Sequence, residues 1–276
     1  MPALIIVPSV ILLFVLLWLF SAMPRRRRTE GEYYAKTLYA HRGLHGNGIP
    51  ENSLPAFRLA VEKGYGIELD VQVSRDGTVM VFHDGTLCRM CGDGVAGGIC
   101  DYTEDELSAF RLADTDEKIP TFAEVLSLVD GRVPLCIEIK NDGDGIRTTE
   151  KALEMLADYK GPYCIESFNP LIIRYVRKHA PNVVRGVLSQ KFWAHKNYRS
   201  FLYFMLGILS LNFLARPDFI AFNGHHYASL PLRFARLCGA YTLAWTVASA
   251  EDEHIVREKG FDSVIFEGYL PERGAE

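Results

Sequence analysis

Glu68 and Asp70 stand two positions apart in Gly66-Ile67-Glu68-Leu69-Asp70-Val71, and Glu138 and Lys140 repeat that spacing in the run from Leu135 to Lys140. Successive side chains of an extended chain point to opposite faces. Read as strands, the first run puts Glu68 and Asp70 opposite Ile67, Leu69 and Val71, and the second sets Glu138 and Lys140 opposite Leu135, Ile137 and Ile139. Three carboxylates gathered at the C-terminal ends of barrel strands would repel one another by several kcal/mol in a low dielectric. A hard divalent cation resolves that repulsion. An all-oxygen set favours Mg2+ or Ca2+ over zinc, with Mg2+ preferred for a cytoplasmic body. The structural alternative is that these acids serve only as ion-pair partners of Arg42 and Lys140.

The elements that must carry these residues alternate short β-rich runs with helical stretches, an α/β rhythm. Strands are predicted at Leu38 to His41, Gly66 to Val73, Thr78 to His83, Pro134 to Lys140, Tyr163 to Phe168, Val183 to Ser189, Asp218 to Phe222, Ala240 to Val247 and Ser263 to Phe266. Ser53 caps a helix that shows Leu54, Phe57 and Val61 on one face and stops at Gly64, and Asn169-Pro170 starts another. Between Val73 and Thr78 stand only Ser74, Arg75, Asp76 and Gly77, too few for a parallel crossover. Those two strands must therefore form a hairpin, which brings His83 opposite Glu68 or Leu69 and an imidazole beside the carboxylates. The predicted architecture is a distorted TIM (β/α)8 barrel.

The 276 residues are 49% hydrophobic with a formal net charge of −4, which excludes a disordered chain, and the acidic balance argues against nucleic acid as a partner. Ala3 to Met23 carries no charge and is long enough, at about 1.5 Å per residue, to cross a hydrocarbon core of roughly 30 Å. No Lys or Arg precedes it, unlike a signal peptide, and Arg25 to Arg28 follow it. The positive-inside rule then predicts a single-pass membrane protein with its body in the cytoplasm. The expected layout is a transmembrane anchor over 1–23, a basic linker over 24–36 and one barrel over 37–276. In that compartment Cys88, Cys91, Cys100, Cys136, Cys164 and Cys238 would be reduced thiols, and no fourth ligand completes a zinc site with the first three.

Six ordered motifs add to this reading: His41-Arg42-Gly43, Glu51-Asn52-Ser53 with Ala56-Phe57, Glu68-Leu69-Asp70-Val71, Asp76-Gly77, His83-Asp84 and Glu138-Ile139-Lys140. Together with Ser167-Phe168 and Trp245-Thr246-Val247 they resemble the glycerophosphodiester phosphodiesterase family. The resemblance implies a phospholipase-C-like phosphodiesterase barrel, a metal held by Glu68, Asp70 and Glu138, and catalytic histidines at His41 and His83. Relatives usually have Thr where Ser53 stands, which keeps the hydroxyl cap. They often end in Thr-Asp-x-Pro, and Glu267 takes that acid's place one residue later. Residues 84–119 fall where the family carries a small insertion.

The chemistry agrees with the resemblance. Cleaving a phosphodiester takes a cation to gather phosphoryl charge, a base for the attacking hydroxyl and an acid for the departing alkoxide, and two histidines with one metal supply all three. The attacking hydroxyl belongs to water or to a neighbouring glycerol. Arg42 and Lys140 complement phosphate charge, Asn52 orients a ligand or caps a turn, and Trp245 contacts the substrate glycerol or packs the core. His225 and His226 are expected as exposed loop residues. The expected activity is metal-dependent hydrolysis of a glycerophosphodiester, with lysophospholipids as further substrates, to an alcohol and a glycerol phosphate. The alternatives are a lysophospholipase-D-like enzyme releasing lysophosphatidate-type products and a non-catalytic membrane lipid-binding protein. Residues 191–216 are expected at a membrane interface, because Phe201 to Leu214 is uncharged and is preceded by Lys191, His195, Lys196 and Arg199 with Trp193 and Tyr198 among them.

Overall fold

The computed structural model describes residues 2–25, 29–194, 196 and 198–272. Its strands are β1 (Tyr39–Ala40), β2 (Gly66–Val73), β3 (Val79–Val81), β4 (Leu135–Ile139), β5 (Tyr163–Ser167), β6 (Val184–Ser189), β7 (Phe219–Asn223), β8 (Tyr241–Val247) and β9 (Ser263–Phe266). They follow one another in the order β1-β9-β8-β7-β6-β5-β4-β2-β3, and β1 also pairs with β2. Eight parallel strands thus close into a barrel, with helices between them.

The ninth strand is the expected hairpin. β3 runs antiparallel to β2 with Val71 opposite Val81 and Val73 opposite Val79. Ser74 N donates to Thr78 O at 2.9 Å, and Gly77 supplies the positive φ of +99° that the tight turn demands. Phe82 N donates to Asp70 O at 2.9 Å, so the ladder runs on past β3 and delivers His83 beside the carboxylate strand.

Strand parity sorts the side chains as the alternation requires. Ile67, Leu69, Val71, Ile137, Ile139 and Ile165 enter the large core between strands and helices. The opposite faces fill the barrel interior with Tyr39, Cys136, Cys164, Phe219, Leu243 and Ile265. Gly186 leaves the space that the Phe219 ring occupies, since a Cβ there would collide with it. The polar Glu68, Asp70, Glu138 and Glu166 lie above this plug, toward the C-terminal ends of their strands. Register fixes their neighbours: Asp70 sits beside Glu138, and Glu138 beside Glu166.

Helix ends follow the sequence signals. Ser53 caps Leu54–Lys63, its Oγ accepting from Ala56 N, and Gly64 closes the helix at φ 71°. Asn169 caps Pro170–His179 by accepting from Leu171 N at 2.9 Å. Residues 84–119 carry two short helices, Cys88–Cys91 and Glu104–Leu107, around a small core of their own that includes Phe82, Leu87, Ile99 and Ile119. All six cysteines are free thiols.

The N-terminal region corrects the expected localisation. Among the described residues no helix is long and apolar enough to cross a membrane, which overturns a single-pass membrane protein. Pro2–Ala22 is helical, but its end is built into the barrel's flank instead of leaving it. Trp18 Nε1 donates to Ile208 O at 2.9 Å, Asn212 Nδ2 to Ala22 O at 3.0 Å, and Arg25 N to Pro217 O at 2.9 Å. Lack of charge over 21 residues reported apolarity and not that the last turn, from Trp18 to Ala22, would dock on the barrel. Arg26, Arg27 and Arg28 of the basic run lie outside the described residues. Within the expected linker, Thr29–Lys36 is helical and buries Ala35 against Tyr39 and Tyr241 at the barrel's N-terminal end.

Residues 191–216 are a pair of short helices, Phe201–Gly207 and Asn212–Ala215, broken where Leu209 adopts φ +60°. Phe192, Leu209 and Ala215 are buried, whereas Phe201 is 76% exposed and Leu202 57%. His195 lies outside the described residues.

Candidate active site

Glu68, Asp70 and Glu138 each present an oxygen to a point where all three lie within 4.8 Å of one another, and all three residues are buried. Lys140, on the same face of its strand extension, places Nζ 3.0 Å from Glu138 Oε1 and 3.4 Å from Asp70 Oδ1. Asn52 Nδ2 donates to Asp70 Oδ2 at 2.9 Å, and Arg42 N donates to Glu68 Oε2 at 2.9 Å. The Arg42 guanidinium bonds Glu51 Oε1 at 2.6 Å and lies 3.5 Å from Asp70 Oδ2. Arg42 and Asn52 both hold positive φ, 54° and 52°, and Asn52 N donates to Arg42 O at 3.0 Å. The loops after β1 and before the Leu54–Lys63 helix are thereby tied together over the acids. A left-handed backbone is costly at non-glycine residues and is held here by that mesh.

The electrostatics follow from crowding. Burial, with Asp70, Glu138 and Glu166 nearby, pushes the Glu68 carboxyl well above the usual range. Burial outweighs Lys140 at Glu138 and pushes it up to about 7. At Asp70 burial acts upward too, but Lys140, His83, Arg42 and the Asn52 hydrogen bond prevail and hold it below the usual range. Glu166 is raised well above its ordinary value by burial, and its Oε2 is buried without a hydrogen bond. Protein cations therefore neutralise only part of the cluster. Asp70 Oδ1 is also buried without a hydrogen bond. Hard oxygen donors, short mutual spacing and a buried carboxylate oxygen without a hydrogen bond fit a divalent cation held by Glu68, Asp70 and Glu138.

Both predicted histidines reach this centre, each with Nδ1 on a carboxylate. His41 Nδ1 is 2.7 Å from Glu267 Oε2, and its Nε2 is 4.0 Å from Glu68 Oε2. Burial outweighs Glu267 and lowers the His41 pKa. The hydrogen bond with His41, with His45 Nε2 close by at 3.7 Å, holds Glu267 far below the usual carboxylate range. His83 Nδ1 is 2.6 Å from Asp84 Oδ1. Asp84 is held in turn by Arg89 Nε at 2.5 Å, and Arg89 also donates twice to Glu51. Gln72 Nε2 donates to Phe82 O and Asp84 O, both at 2.9 Å, fixing the strand exit that carries His83.

The structure thus gathers His41, His83, Glu68, Asp70, Glu138, Arg42, Asn52 and Lys140 into one centre. Trp245 stands across the barrel on β8, its ring edge-on to Phe168 at 5.5 Å and its Nε1 buried without a hydrogen bond. His225 and His226 follow β7 on the same rim, and His226 Nδ1 accepts from Lys191 N at 3.3 Å. Sequence reasoning missed Arg89 and Glu166, and gave no task to Glu51 or Asp84. The adjacency of His83 and Asp84 could have flagged the second. Arg89 gave no signal, because it arrives through the fold of the insertion.

A closed parallel barrel with an acidic centre and two carboxylate-anchored histidines at its C-terminal rim defines a hydrolytic enzyme site of the TIM-barrel kind. Residues 41–268 match the Glycerophosphoryl diester phosphodiesterase family, and the chain belongs to that family. It is 31% identical over 247 residues to the glycerophosphodiester phosphodiesterase of Caldanaerobacter subterraneus subsp. tengcongensis, covering 83% of this chain and 93% of that protein. The solved glycerophosphodiester phosphodiesterase of Thermotoga maritima aligns with TM-score 0.64 and 29% identity over 83% of this chain and 93% of its own. An Oleispira antarctica phosphodiesterase, solved with sn-glycerol-3-phosphate, shares the fold at TM-score 0.71 and 24% identity, over 85% of this chain and 94% of its own. The chain is accordingly a phosphoric diester hydrolase with glycerophosphodiester phosphodiesterase activity. The family depends on a divalent cation, and the acidic cluster offers a place for one.

Proposed function

We propose that the chain hydrolyses glycerophosphodiesters to an alcohol and a glycerol phosphate, with Mg2+ or Ca2+ held by Glu68, Asp70 and Glu138 and acid–base work divided between His41 and His83. The observation that carries this is the convergence of three buried carboxylates with two histidines whose Nδ1 atoms are both taken by acids. A bound divalent cation supplies charge stabilisation for the phosphoryl oxygens. Anchoring at Nδ1 orients each ring and leaves Nε2 to take a proton from the attacking hydroxyl or give one to the departing alkoxide. Lys140 remains positive beside the site and adds a point charge toward the phosphate.

Arg42 and Asn52 act here as positioning residues, since their side chains are engaged on Glu51 and Asp70. Trp245 closes the site opposite the acids and offers a ring face to the glycerol. A non-catalytic lipid-binding protein would have no use for two anchored histidines beside an acid cluster. The test is hydrolysis of glycerophosphocholine, glycerophosphoethanolamine and glycerophosphoglycerol by the purified chain, with products identified, before and after chelation. Turnover of at least one, lost on chelation and restored by Mg2+ or Ca2+, is expected. Turnover that survives chelation unchanged would overturn the metal assignment.

A further inference from the structure

A second cluster of ligand atoms stands beside the three carboxylates. His41 and His45 each bring a ring nitrogen and Glu267 a carboxylate oxygen to within 4.8 Å of one another. Glu267 Oε2 is 2.7 Å from His41 Nδ1 and 3.7 Å from His45 Nε2. The His45 Nε2 atom is buried without a hydrogen bond. A buried ring nitrogen that faces a carboxylate and bonds nothing calls for a partner.

The backbone holds these three residues in place. β1 and β9 pair with Ala40 beside Phe266, and His41 N donates to Phe266 O at 2.9 Å, so His41 and Glu267 leave the barrel side by side. His45 stands at the foot of a two-residue turn in which Gly46 N donates to Ile49 O at 2.9 Å and Ile49 N to Gly46 O at 3.0 Å. Asn47 and Gly48 between them hold φ of 51° and 87°, positive at both central positions as a tight primed turn requires. His45 and Glu267 also line a cavity of about 350 Å3 between the loops after β1 and β9, and Glu68, Asp70, Glu138 and His83 are not among its walls. Their side chains are 24% and 37% exposed, so an ion from solvent can reach them there.

The two clusters differ in kind. Three carboxylates suit a hard ion such as Mg2+ or Ca2+, whereas two imidazole nitrogens with one carboxylate oxygen suit a borderline ion such as Zn2+. A tetrahedral zinc at about 2.0 to 2.2 Å from its ligands sets them about 3.3 Å apart, between the two distances that Glu267 Oε2 makes to the rings. We propose that His41 Nδ1, His45 Nε2 and Glu267 form a second metal site, selective for Zn2+ over Mg2+, and that the ion bound there inhibits the enzyme by occupying His41.

The binding stands on this cluster alone, and the inhibition rests on the phosphodiesterase reading. In the neutral His41 ring, Nδ1 carries the proton it donates to Glu267, and Nε2 keeps a lone pair. A metal takes the lone pair of Nδ1 instead. The Nδ1 proton passes through water to Nε2, the ring keeps its one proton overall, and Nε2 can no longer accept another.

The experiment titrates the chelator-treated chain with Co2+, whose visible absorption reports tetrahedral ligation, and then with Zn2+ in competition, both under saturating Mg2+. The parent should bind one ion, and Asp70→Asn, which breaks the carboxylate centre, should bind it as tightly. His45→Ala and Glu267→Gln should each weaken it by more than about tenfold, the least that losing even an outer partner of a metal costs. Saturating Zn2+ should slow hydrolysis of a glycerophosphodiester by the parent on the order of 100-fold or more, the worth of a positioned acid or base, and added Mg2+ should not reverse it. His45→Ala should keep the parent's rate without Zn2+ and retain it when Zn2+ is added. No Co2+ absorption under Mg2+, or binding to His45→Ala as tight as to the parent, would overturn the site. A thiolate charge-transfer band would put the ion on the cysteines and overturn it equally. Binding that leaves hydrolysis unchanged, or inhibition that Mg2+ reverses, would overturn the inhibitory role. If no glycerophosphodiester is turned over even without Zn2+, the phosphodiesterase reading fails, and the Co2+ titration still decides the metal site.

Discussion

The rim of this barrel is made of two different materials. On the side formed by β9 and β1 to β4 charged groups interlock: Glu51 is bonded by Arg42 and Arg89, Asp84 by His83 and Arg89, Asp70 by Asn52, and Glu267 by His41. On the side formed by β5 to β8 the contacts are ring to ring, from Trp245 through Phe168 and Phe192 to the tyrosines at 198 and 203. Hydrogen bonds and ion pairs are directional and fix a side chain's place; apolar contact is not, and selects by area and volume. One side is suited to hold side chains in fixed places, the other to fill the rim by packing.

The largest expected effect breaks the charged side alone. Glu68→Gln or Asp70→Asn should abolish turnover and weaken binding of Mg2+ or Ca2+ in a calorimetric titration, with the circular dichroism spectrum unchanged. His41→Ala and His83→Ala should each cost on the order of 100- to 10,000-fold in kcat, the usual worth of a positioned acid or base, while ion affinity stays near that of the parent. A rate within a few-fold of the parent would remove that histidine from the mechanism. Asp84→Asn and Glu267→Gln should fall short of this, at roughly 10- to 100-fold, because they lose the orientation of a ring and not the ring.

The smallest effect concerns stability. Arg89 is half-exposed, so Arg89→Ala should cost about 1 kcal/mol or less in chemical denaturation at neutral pH. At both Glu51 and Asp84 burial pushes the carboxyl up, and hydrogen bonds from Arg89, joined by Arg42 at Glu51 and His83 at Asp84, outweigh it and hold both below the usual range. A depressed carboxyl stabilises the fold above its unfolded pKa and loses that contribution as pH falls. The difference between parent and variant should therefore shrink below about pH 4. A difference that grows on acidification would contradict the clamp.

The two sides also differed in how far the sequence disclosed them. Parity in Gly66 to Val71 and Leu135 to Lys140 was enough to bring three acids together, because a period of two admits one inward face. Four residues between Val73 and Thr78 sufficed for the hairpin, because no parallel crossover is that short. The assignments of Ser53, Gly64 and Asn169 rested on equally local rules and agree with the structure. What depended on distant packing stayed hidden. Apolarity of Ala3 to Met23 carried no information that Trp18 would bond Ile208, 190 residues away, so the segment read as a membrane span. Arg89 reaches Glu51 only through the folded insertion. Arg42 and Asn52, expected to complement the phosphate and to orient a ligand or cap a turn, rest on Glu51 and Asp70, and the ion-pair alternative for Arg42 was already open to local reading.

The central claim is that the interlocked side performs hydrolysis through a divalent cation on Glu68, Asp70 and Glu138. It is tested most directly by following release of alcohol from the preferred glycerophosphodiester in chelator-treated protein as Mg2+ or Ca2+ is added back, in the parent and in Asp70→Asn. Saturable recovery in the parent and none in the variant is the predicted result. Full activity in the chelated parent, or equal recovery in Asp70→Asn, would contradict it.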